Sequence, residues 1–387
     1  MRILMVARPA SGGMKEHVLE LACGLAARGH DVEFAAPDDT DIAGAARARG
    51  FTVHSVPIVS KPNPVQDPRA VRMLQRIIYD GRYDIVHAHG FKAGFIGRLA
   101  VRLSGIGVRP FVVTAHTHVL TRSTTSAATR WQLRTVERSL ERYVTRYIAV
   151  SDSVARELLE AYNMPAEKVA VVHDSIDLAP FEQPRDRAAA RLALGVGVDA
   201  PVVGLAASFS AHKGIRDLID AVPEIARRVP GVRVVIGGSG ALESQLRSQA
   251  TAVGCNDSIV WPGHVIDMPR FLAALDVFVS PVRSETFGVA LIEAAAAGVP
   301  TVATRVGAVT EFVLDGVTGL LVDPNDSEAL AQAIVGLLDD RRTAAKLADR
   351  ARERVRTEYS AQRMVEGTLA VYAEALAVGG GEGTPAR

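Results

Sequence analysis

The chain has 387 residues, 48% of them hydrophobic, a length typical of two domains that each bury a core. Lys and Arg number 44 and Asp and Glu 43, which argues against a general nucleic-acid-binding protein, because such proteins are usually basic. Cys23 and Cys255 are too few for a disulfide framework and show no Cys-x-x-Cys metal spacing, so we expect a reduced, cytoplasmic compartment. The N-terminal apolar run, Ile3–Ala7, is too short for a secretory signal, and no apolar stretch reaches the roughly 18–20 residues of a transmembrane helix.

Short apolar runs alternate with helical patterns in the first half of the chain. Hydrophobic residues recur at helical spacing after the loop at Gly12 and Gly13, and Gly29 ends that helix. The predicted strands are Ile3–Ala7, Asp31–Ala36, Ile85–His87, Phe111–Thr114, Tyr147–Val150 and Val169–His173. This alternation predicts a parallel sheet that is covered by helices on both faces.

The same alternation restarts after a loop that contains Pro180 and Pro184, where we place the domain boundary. The predicted strands are Val202–Ala206, Val232–Ile236, Ile259–Trp261, Val277–Ser280 and Thr301–Ala303. The predicted helices are Ile215–Arg228, Ala241–Val253, Leu291–Ala297, Glu328–Leu338 and Ala361–Ala377. The chain is therefore predicted to be α/β, with two Rossmann-like, doubly wound parallel-sheet domains facing across a cleft, where ligands bind at the carboxyl ends of the strands.

Two glutamates eight residues apart are the first candidate site residues. They lie in the segment SPVRSETFGVALIEAAAAGVP, as Glu285 before a helix predicted to start near Gly288 and as Glu293 one turn inside that helix. The N-terminus of a helix offers free N–H groups and the positive end of its dipole to a diphosphate. Carboxylates accept hydrogen bonds from sugar and ribose hydroxyls. An isolated pair of this kind is more often two solvated surface residues, so its weight comes from the surrounding motifs.

This segment resembles the Glu-x7-Glu signature of the retaining glycosyltransferases of family 4, which have the GT-B fold. Further motifs follow the order of that family along nearly the whole chain. They are Ser11-Gly12-Gly13 after the first strand, the "D-x-x-H-x-H" match Asp84–His89, Thr114-Ala115-His116, the "V-S-x-S" match Val150–Ser153, Lys213-Gly214, and the stretch from Gly307 to Asp323 with Glu311 and Gly319.

The resemblance implies a division of labour between the domains. It implies an acceptor-side domain over residues 1–178, to which a C-terminal crossover helix at about 361–378 returns, and a donor-binding domain over residues 198–358. It also implies a metal-independent transfer that retains the anomeric configuration and uses no cofactor.

The resemblance further implies roles for single residues. Glu293 holds the ribose hydroxyls, Glu285 holds the donor sugar, and Lys213 neutralises the diphosphate. His116 contacts the sugar near the reacting carbon. Backbone groups approach the donor at Gly12, Gly13, Phe287, Gly288 and Val289.

Two positions depart from the family pattern. Ser208 stands where the family usually has Arg, so one cation of a phosphate clamp is missing, and Arg305, Arg283 or Arg8 are possible substitutes. The family turn "N-G-[IV]-D" begins here with Asp174, which we interpret as a turn residue. His87 and His89 are expected to point to opposite faces of a strand, as structural or acceptor-side residues.

The leading functional hypothesis is transfer of a sugar from a nucleoside diphosphate sugar to an acceptor hydroxyl, in cell-envelope glycolipid or polysaccharide synthesis. A UDP-sugar is favoured over GDP-mannose. Two alternatives stay open: a nucleotide-sugar epimerase or phosphorylase on the same fold, and a catalytically inactive sugar-nucleotide-binding module, which Ser208 supports. Whether donor turnover requires an acceptor separates them.

A series of arginines follows His116 at intervals of four residues: Arg130, Arg134, Arg138, Arg142 and Arg146. On one helix they form a slowly winding basic stripe, which Glu137 and Glu141 neutralise in part. One interpretation is a solvated, salt-bridged helix. The other is a basic surface that meets anionic lipid, which would place the protein peripherally at the inner face of the membrane beside a lipid-linked acceptor.

Overall fold

The computed structural model describes residues 1–10, 12–105, 110–118 and 126–381, with side chains up to residue 378. Within this described part, the chain divides into two compact units, one of residues 1–175 with 361–387 and one of residues 176–360. Each unit is built on its own parallel sheet. The α/β class with two Rossmann-like parallel sheets is confirmed. Among the described residues, none of the helices is long and apolar enough to cross a bilayer.

The first unit has a parallel sheet whose described strands run in the order β3-β2-β1-β4-β5-β6-β7. The strands are β1 (Arg2–Ala7), β2 (Asp31–Ala36), β3 (Thr52–Ser55), β4 (Ile85–His89), β5 (Phe111–Ala115), β6 (Arg146–Ala149) and β7 (Val169–Val171). The helices between them are α1 (Gly13–Ala26), α2 (Asp41–Ala48), α3 (Gln66–Gly81), α4 (Phe91–Leu103), α5 (Ala127–Leu140) and α6 (Asp152–Arg156). The central strands are buried on both faces, as expected for a parallel sheet that helices cover on both sides.

The second unit has a parallel sheet whose described strands run in the order β10-β9-β8-β11-β12-β13. In chain order its elements are α7 (Ala179–Glu182), α8 (Arg187–Ala193), β8 (Val202–Ala206), α9 (Ile215–Arg228), β9 (Arg233–Gly237), α10 (Glu243–Ala252), β10 (Ile259–Val260), α11 (Met268–Ala273), β11 (Val277–Ser280), α12 (Val289–Ala296), β12 (Thr301–Thr304), α13 (Val309–Phe312), β13 (Leu320–Val322), α14 (Ser327–Asp339) and α15 (Arg341–Glu358). The last helix, α16 (Ala361–Gly381), belongs to the first unit.

Residues 179–197 lie outside the two domain ranges expected from the sequence, and the structure assigns them to the second unit together with residues 176–178, which were expected in the first domain. Ile176 forms a backbone bridge with Ser360. From α8, the Arg191 guanidinium is 2.8 Å from an Asp276 oxygen and donates to the carbonyl of Ala274 at 3.0 Å. These contacts attach the segment to the second unit, although its two prolines suggested a linker.

The prediction that five arginines form a stripe along one continuous helix is wrong. The helix α5 ends at Leu140, Arg142 lies in a 3₁₀ turn, and Arg146 begins β6 with its Nε 3.3 Å from a Glu374 oxygen. The two glutamates expected to neutralise the stripe also point elsewhere. Glu137 is buried against Arg98, and the Glu141 carboxylate is 2.5 Å from the Lys168 ammonium.

The ion pair of Arg98 and Glu137 fastens α5 to α4. Its side chains are 0% and 5% exposed, and the two nitrogen–oxygen distances of the bidentate contact are both 2.8 Å. Removing one member of a buried pair leaves the other charged group without a partner in a low-dielectric interior.

We predict that Arg98→Ala lowers the free energy of unfolding by about 3–5 kcal/mol, because Glu137 is left buried and unpaired. Urea titration followed by circular dichroism measures the change. Arg49→Ala is the control, since this exposed side chain only donates to the Ala45 carbonyl. Equal stabilities of the two variants would contradict the prediction.

Candidate active site

The second sheet has a switch point between β8 and β11, because the chain continues to β9 on one side and to β12 on the other. Ligands of open α/β sheets bind beyond the carboxyl ends of the strands at such a point. The loop after β8 contains the 3₁₀ turn Ala211–Lys213, and the loop after β11 carries Glu285. Both predicted charged residues therefore follow strands that are neighbours at the switch point.

Lys213 and Glu285 form an ion pair there. The ammonium Nζ lies 2.6 Å from Oε2, and the side chains are 21% and 15% exposed. The backbone N–H of Thr286 donates to the other carboxylate oxygen at 3.1 Å. Gly214 has φ 62°, and a Cβ at this position would lie 1.7 Å from the carbonyl oxygen of Pro281. Only glycine allows this approach, so the backbone itself holds the two loops and the ion pair together.

The helix α12 begins next to this pair. Gly288 has φ 91° and stands at its N-cap without a side-chain cap. The N–H of Leu291 donates to the Gly288 carbonyl at 2.9 Å, so the N–H groups that can donate to a ligand are those of Val289 and Ala290. Val289 opens the helix. The Phe287 side chain is buried and its ring centroid lies 6.0 Å from that of Tyr359, so it packs in the core and leaves only its backbone for a ligand.

Glu293 is the fifth residue of α12 and is half-buried. Within the described part of the chain, its carboxylate has no hydrogen-bond or ion-pair partner. Burial raises the pKa of this carboxyl group to about 7. A carboxylate that lacks donors in the free protein is suited to accept hydrogen bonds from the hydroxyls of a ligand.

The missing arginine is not replaced by either candidate in this unit. Ser208 is exposed, and its Oγ lies 3.2 Å from that of Ser210. Arg283 is paired with Asp217 at 2.7 Å, and Arg305 is paired with Asp315 at 2.8 Å. Both guanidinium groups are thus paired with carboxylates, as Lys213 is with Glu285, and of the three cations Lys213 is the one in the loop after β8 at the switch point.

In the first unit, α1 begins at Gly13 directly after β1. Its N-cap is Gly12, an exposed residue with φ 60° and no side-chain cap. The predicted glycine loop therefore leads into a helix of 14 residues, and the N-terminus of that helix is open to an anion. Ser11, the first residue of this motif, lies outside the described residues.

A group of buried histidines lies at the carboxyl ends of the strands in the same unit. His116 follows β5, and its Nε2 is 3.2 Å from Nδ1 of His89, the last residue of β4. His17, from α1, meets the His116 ring edge-on at 4.6 Å between centroids. The expectation that His87 and His89 face opposite sides is wrong, since residues two apart on a strand share a face and the centroids of these rings are 4.2 Å apart.

His87, His89 and His116 are uncharged at neutral pH. Burial, and then the neighbouring positive groups, hold the pKa of His89 and of His116 well below the ordinary value. Burial also lowers the pKa of His87 to about 3. His116 can therefore offer a hydrogen bond to a substrate at neutral pH, but no charge.

Asp174 is more than a turn residue, because its buried carboxylate accepts a hydrogen bond of 2.7 Å from Nδ1 of His17. Sequence reasoning missed this contact. His17 lies directly before Val18, where the spacing of apolar residues indicated only a helix that packs on the sheet. Its contact with Asp174 spans 157 residues.

Comparisons with known proteins identify the family. The model of "Glycosyltransferase Family 4" matches residues 11–180, and that of "Glycosyl transferases group 1" matches residues 200–340. A D-inositol 3-phosphate glycosyltransferase of Acidothermus cellulolyticus is 31% identical over 95% of this chain and 86% of its own. The chain belongs to the GT-B glycosyltransferases.

A second relative and a solved structure of similar fold extend the comparison. A glycogen synthase of Mycobacterium tuberculosis is 31% identical over 100% of this chain and 97% of its own. The fold is similar to that of Anabaena Alr3699/HepE in complex with UDP, with a TM-score of 0.83 and 23% identity over 96% of this chain and 100% of that one.

We predict that Glu293→Gln stabilises the glycosyltransferase above neutral pH. Because the folded pKa of about 7 exceeds the ordinary 4.5, folding favours the protonated acid, and this contribution is lost as the pH rises through 7. The midpoint temperature of thermal unfolding should therefore be higher for the variant than for wild type at pH 8, and the two midpoints should be close at pH 4.5. Exposed Glu353→Gln is the control. A gain that is equal at both pH values would show that Glu293 titrates normally.

Proposed function

We propose that the protein transfers a sugar from a nucleoside diphosphate sugar to an acceptor hydroxyl and retains the anomeric configuration. The observation that carries this proposal is the Lys213–Glu285 pair at the switch point of the second sheet, beside the uncapped N-terminus of α12. These groups provide one cation, one hydroxyl acceptor and a set of free N–H donors. A sugar attached to a diphosphate needs each of them.

The proposed donor contacts follow from this chemistry. The ammonium of Lys213 and the N–H groups at Gly288 and Val289 neutralise the diphosphate, aided by the backbone at Gly12 and Gly13. Glu293 accepts both ribose hydroxyls, and Glu285 accepts a sugar hydroxyl. Preorganised donors of this kind stabilise the charge that develops on a leaving group.

In the proposed transfer, the bond between the anomeric carbon and the diphosphate oxygen breaks as the acceptor oxygen bonds to that carbon on the same face. The acceptor proton passes to the departing phosphate oxygen, so no enzymic nucleophile is required. His116 contacts the sugar near the reacting carbon. The reaction uses no metal and no cofactor beyond the donor.

We favour a UDP-sugar as the donor. Support comes from Anabaena Alr3699/HepE, a protein of the same fold that was solved with UDP and with UDP-glucose. The names of the relatives indicate a phosphorylated cyclitol and a glucan as acceptors in those proteins, which supports a polyol or sugar hydroxyl here. Calorimetric titration with UDP, GDP and ADP tests the choice of base.

We predict that Lys213→Ala lowers the rate of transfer by about 10²-fold, as the loss of one preorganised electrostatic contact does in other enzymes. The measurement is release of nucleoside diphosphate with an acceptor present. Lys346→Ala, an exposed change in α15, is the matched control. Near-normal turnover of Lys213→Ala would mean that another group neutralises the diphosphate.

The same assay separates the alternatives. An inactive binding module binds UDP but gives neither transfer nor donor hydrolysis. An epimerase converts the donor without an acceptor. Turnover that requires an acceptor and Lys213 supports transfer against both.

We also propose that the outer face of α5 contacts anionic lipid, which would bring the enzyme to an envelope acceptor at the inner face of the membrane. Trp131 is 68% exposed, and Arg134 and Arg138 are exposed near it. On a helix these three lie within about 60° of one another. Since Glu137 and Glu141 are paired with Arg98 and Lys168, they do not neutralise this face. An exposed Trp among arginines is typical of a helix that lies at a membrane interface.

We predict sedimentation with anionic but not neutral liposomes, and release at high salt, because each arginine near such a surface contributes about 1 kcal/mol. Arg134→Glu/Arg138→Glu should stay in the supernatant. Arg342→Glu/Lys346→Glu, with the same spacing and charge change on α15, should bind like wild type. Equal binding of both double variants would contradict the assignment to α5.

A further inference from the structure

Three histidines of the first unit direct ring nitrogens toward one another. We call them the histidine group: His17 from α1, His89 from the end of β4, and His116 after β5. All three are buried, and each offers a nitrogen such that these atoms lie within 4.8 Å of one another. Three imidazoles from separate elements form the kind of ligand set that binds zinc in proteins.

The proton of His17 is placed by Asp174. A carboxylate only accepts hydrogen bonds, so Nδ1 of His17 carries the proton and donates it over 2.7 Å. In the neutral imidazole, its Nε2 presents a lone pair. This atom is buried and, among the described residues, has no hydrogen-bond partner. A buried lone pair without a donor is unfavourable unless a cation or a polar ligand meets it.

The rings of His89 and His116 also direct nitrogens toward each other. Nε2 of His89 lies 3.4 Å from the sulfur of Met5, while its Nδ1 faces Nε2 of His116 at 3.2 Å. His87 is not a candidate ligand, since Tyr372 and Thr114 each hold one of its nitrogens at 2.7 Å.

We propose that His17 Nε2, His89 Nδ1 and His116 Nε2 form a site for a divalent transition metal ion, with Zn²⁺ as the best-fitting ion. Tetrahedral zinc with nitrogen ligands sets these atoms about 3.3 Å apart. The His89–His116 pair already has this spacing, and the rings must turn inward to complete the set. Nitrogen-only ligation favours Zn²⁺, Co²⁺, Ni²⁺ or Cu²⁺ over Mg²⁺ and Ca²⁺, which prefer oxygen.

The carboxylate of Asp174 places a negative charge behind His17, one of the three proposed metal ligands. The hydrogen bonds from His17 Nδ1 and from the backbone N–H of Ser175 both go to Oδ1. An asparagine, as in the family turn, could accept both with its amide oxygen. The carboxylate therefore adds charge to this arrangement, in the carboxylate–histidine–metal order that strengthens metal ligands. The positive charge of Arg8 also acts on His116 and opposes this effect.

The site has a consequence for catalysis that rests on the proposed function. His116 is the residue proposed to contact the donor sugar. A metal bound to its Nε2 withdraws the ring from that contact, so Zn²⁺ should inhibit transfer and a chelator should restore it.

The test uses the full chain after chelator treatment. Addition of Co²⁺ should give the intense visible absorption of a tetrahedral cobalt site, saturating at one ion per chain, and Zn²⁺ should displace it. His17→Ala should abolish this spectrum. Asp174→Asn, which keeps both hydrogen bonds, should weaken Zn²⁺ affinity by about 10–100-fold. The control is His54→Ala, a histidine of the same unit paired with Glu33.

Absence of the cobalt spectrum in the wild type overturns the site, as does unchanged binding in His17→Ala. If His17→Ala fails to fold, Asp174→Asn decides, and unchanged affinity in that variant also overturns the proposal. Failure of the proposed function looks different. If Zn²⁺ binds with the expected spectrum and transfer continues unchanged, the metal site stands and the role of His116 is wrong.

Discussion

The ion pair between Lys213 and Glu285 depends on the order of strands more than on any local preference. The two residues are 72 positions apart, and they meet because β8 and β11 are hydrogen-bonded neighbours whose carboxyl ends share one edge. Gly214 then removes the side chain that would keep the loops apart. An ammonium has three N–H donors, so Lys213 can keep Glu285 and still reach a phosphate oxygen. A single cation that is held in this way loses less conformational freedom on binding than a free lysine does.

Charge is distributed unevenly around this pair. Arg283 and Arg305 are bound to carboxylates, and Ser208 brings no charge, so under the proposed function the uncapped N–H groups of α12 would take a larger share of anion binding. Glu293 is half-buried and has no donor among the described residues, which disfavours its charged form. A conformation that is unfavourable in the free protein and relieved by ligand hydroxyls is what a binding site requires, and its cost appears in stability.

Sequence patterns predicted most of the sheet framework, for a physical reason. Buried parallel strands are short apolar runs between turn residues, and Asp31–Ala36 and Val202–Ala206 match such runs from end to end. The strand β13, of three residues, is too short for this signal, and the charged α15 hides its apolar positions among arginines. Motif order located Lys213 and Glu285, but not their contact, because strand adjacency is a property of the folded sheet.

The two departures from the family pattern act in different ways. Ser208 is exposed, so the loss of a cation there costs the fold nothing and is felt only by an anionic ligand. Asp174 is buried, and an unpaired carboxylate in that position would be strongly unfavourable. Its two hydrogen bonds stabilise the charge in part, but both go to one oxygen and neither partner is a fixed cation. The ring of His17 connects this carboxylate to the other two histidines of the histidine group. The negative charge of Asp174 therefore favours any positive species that binds between those rings.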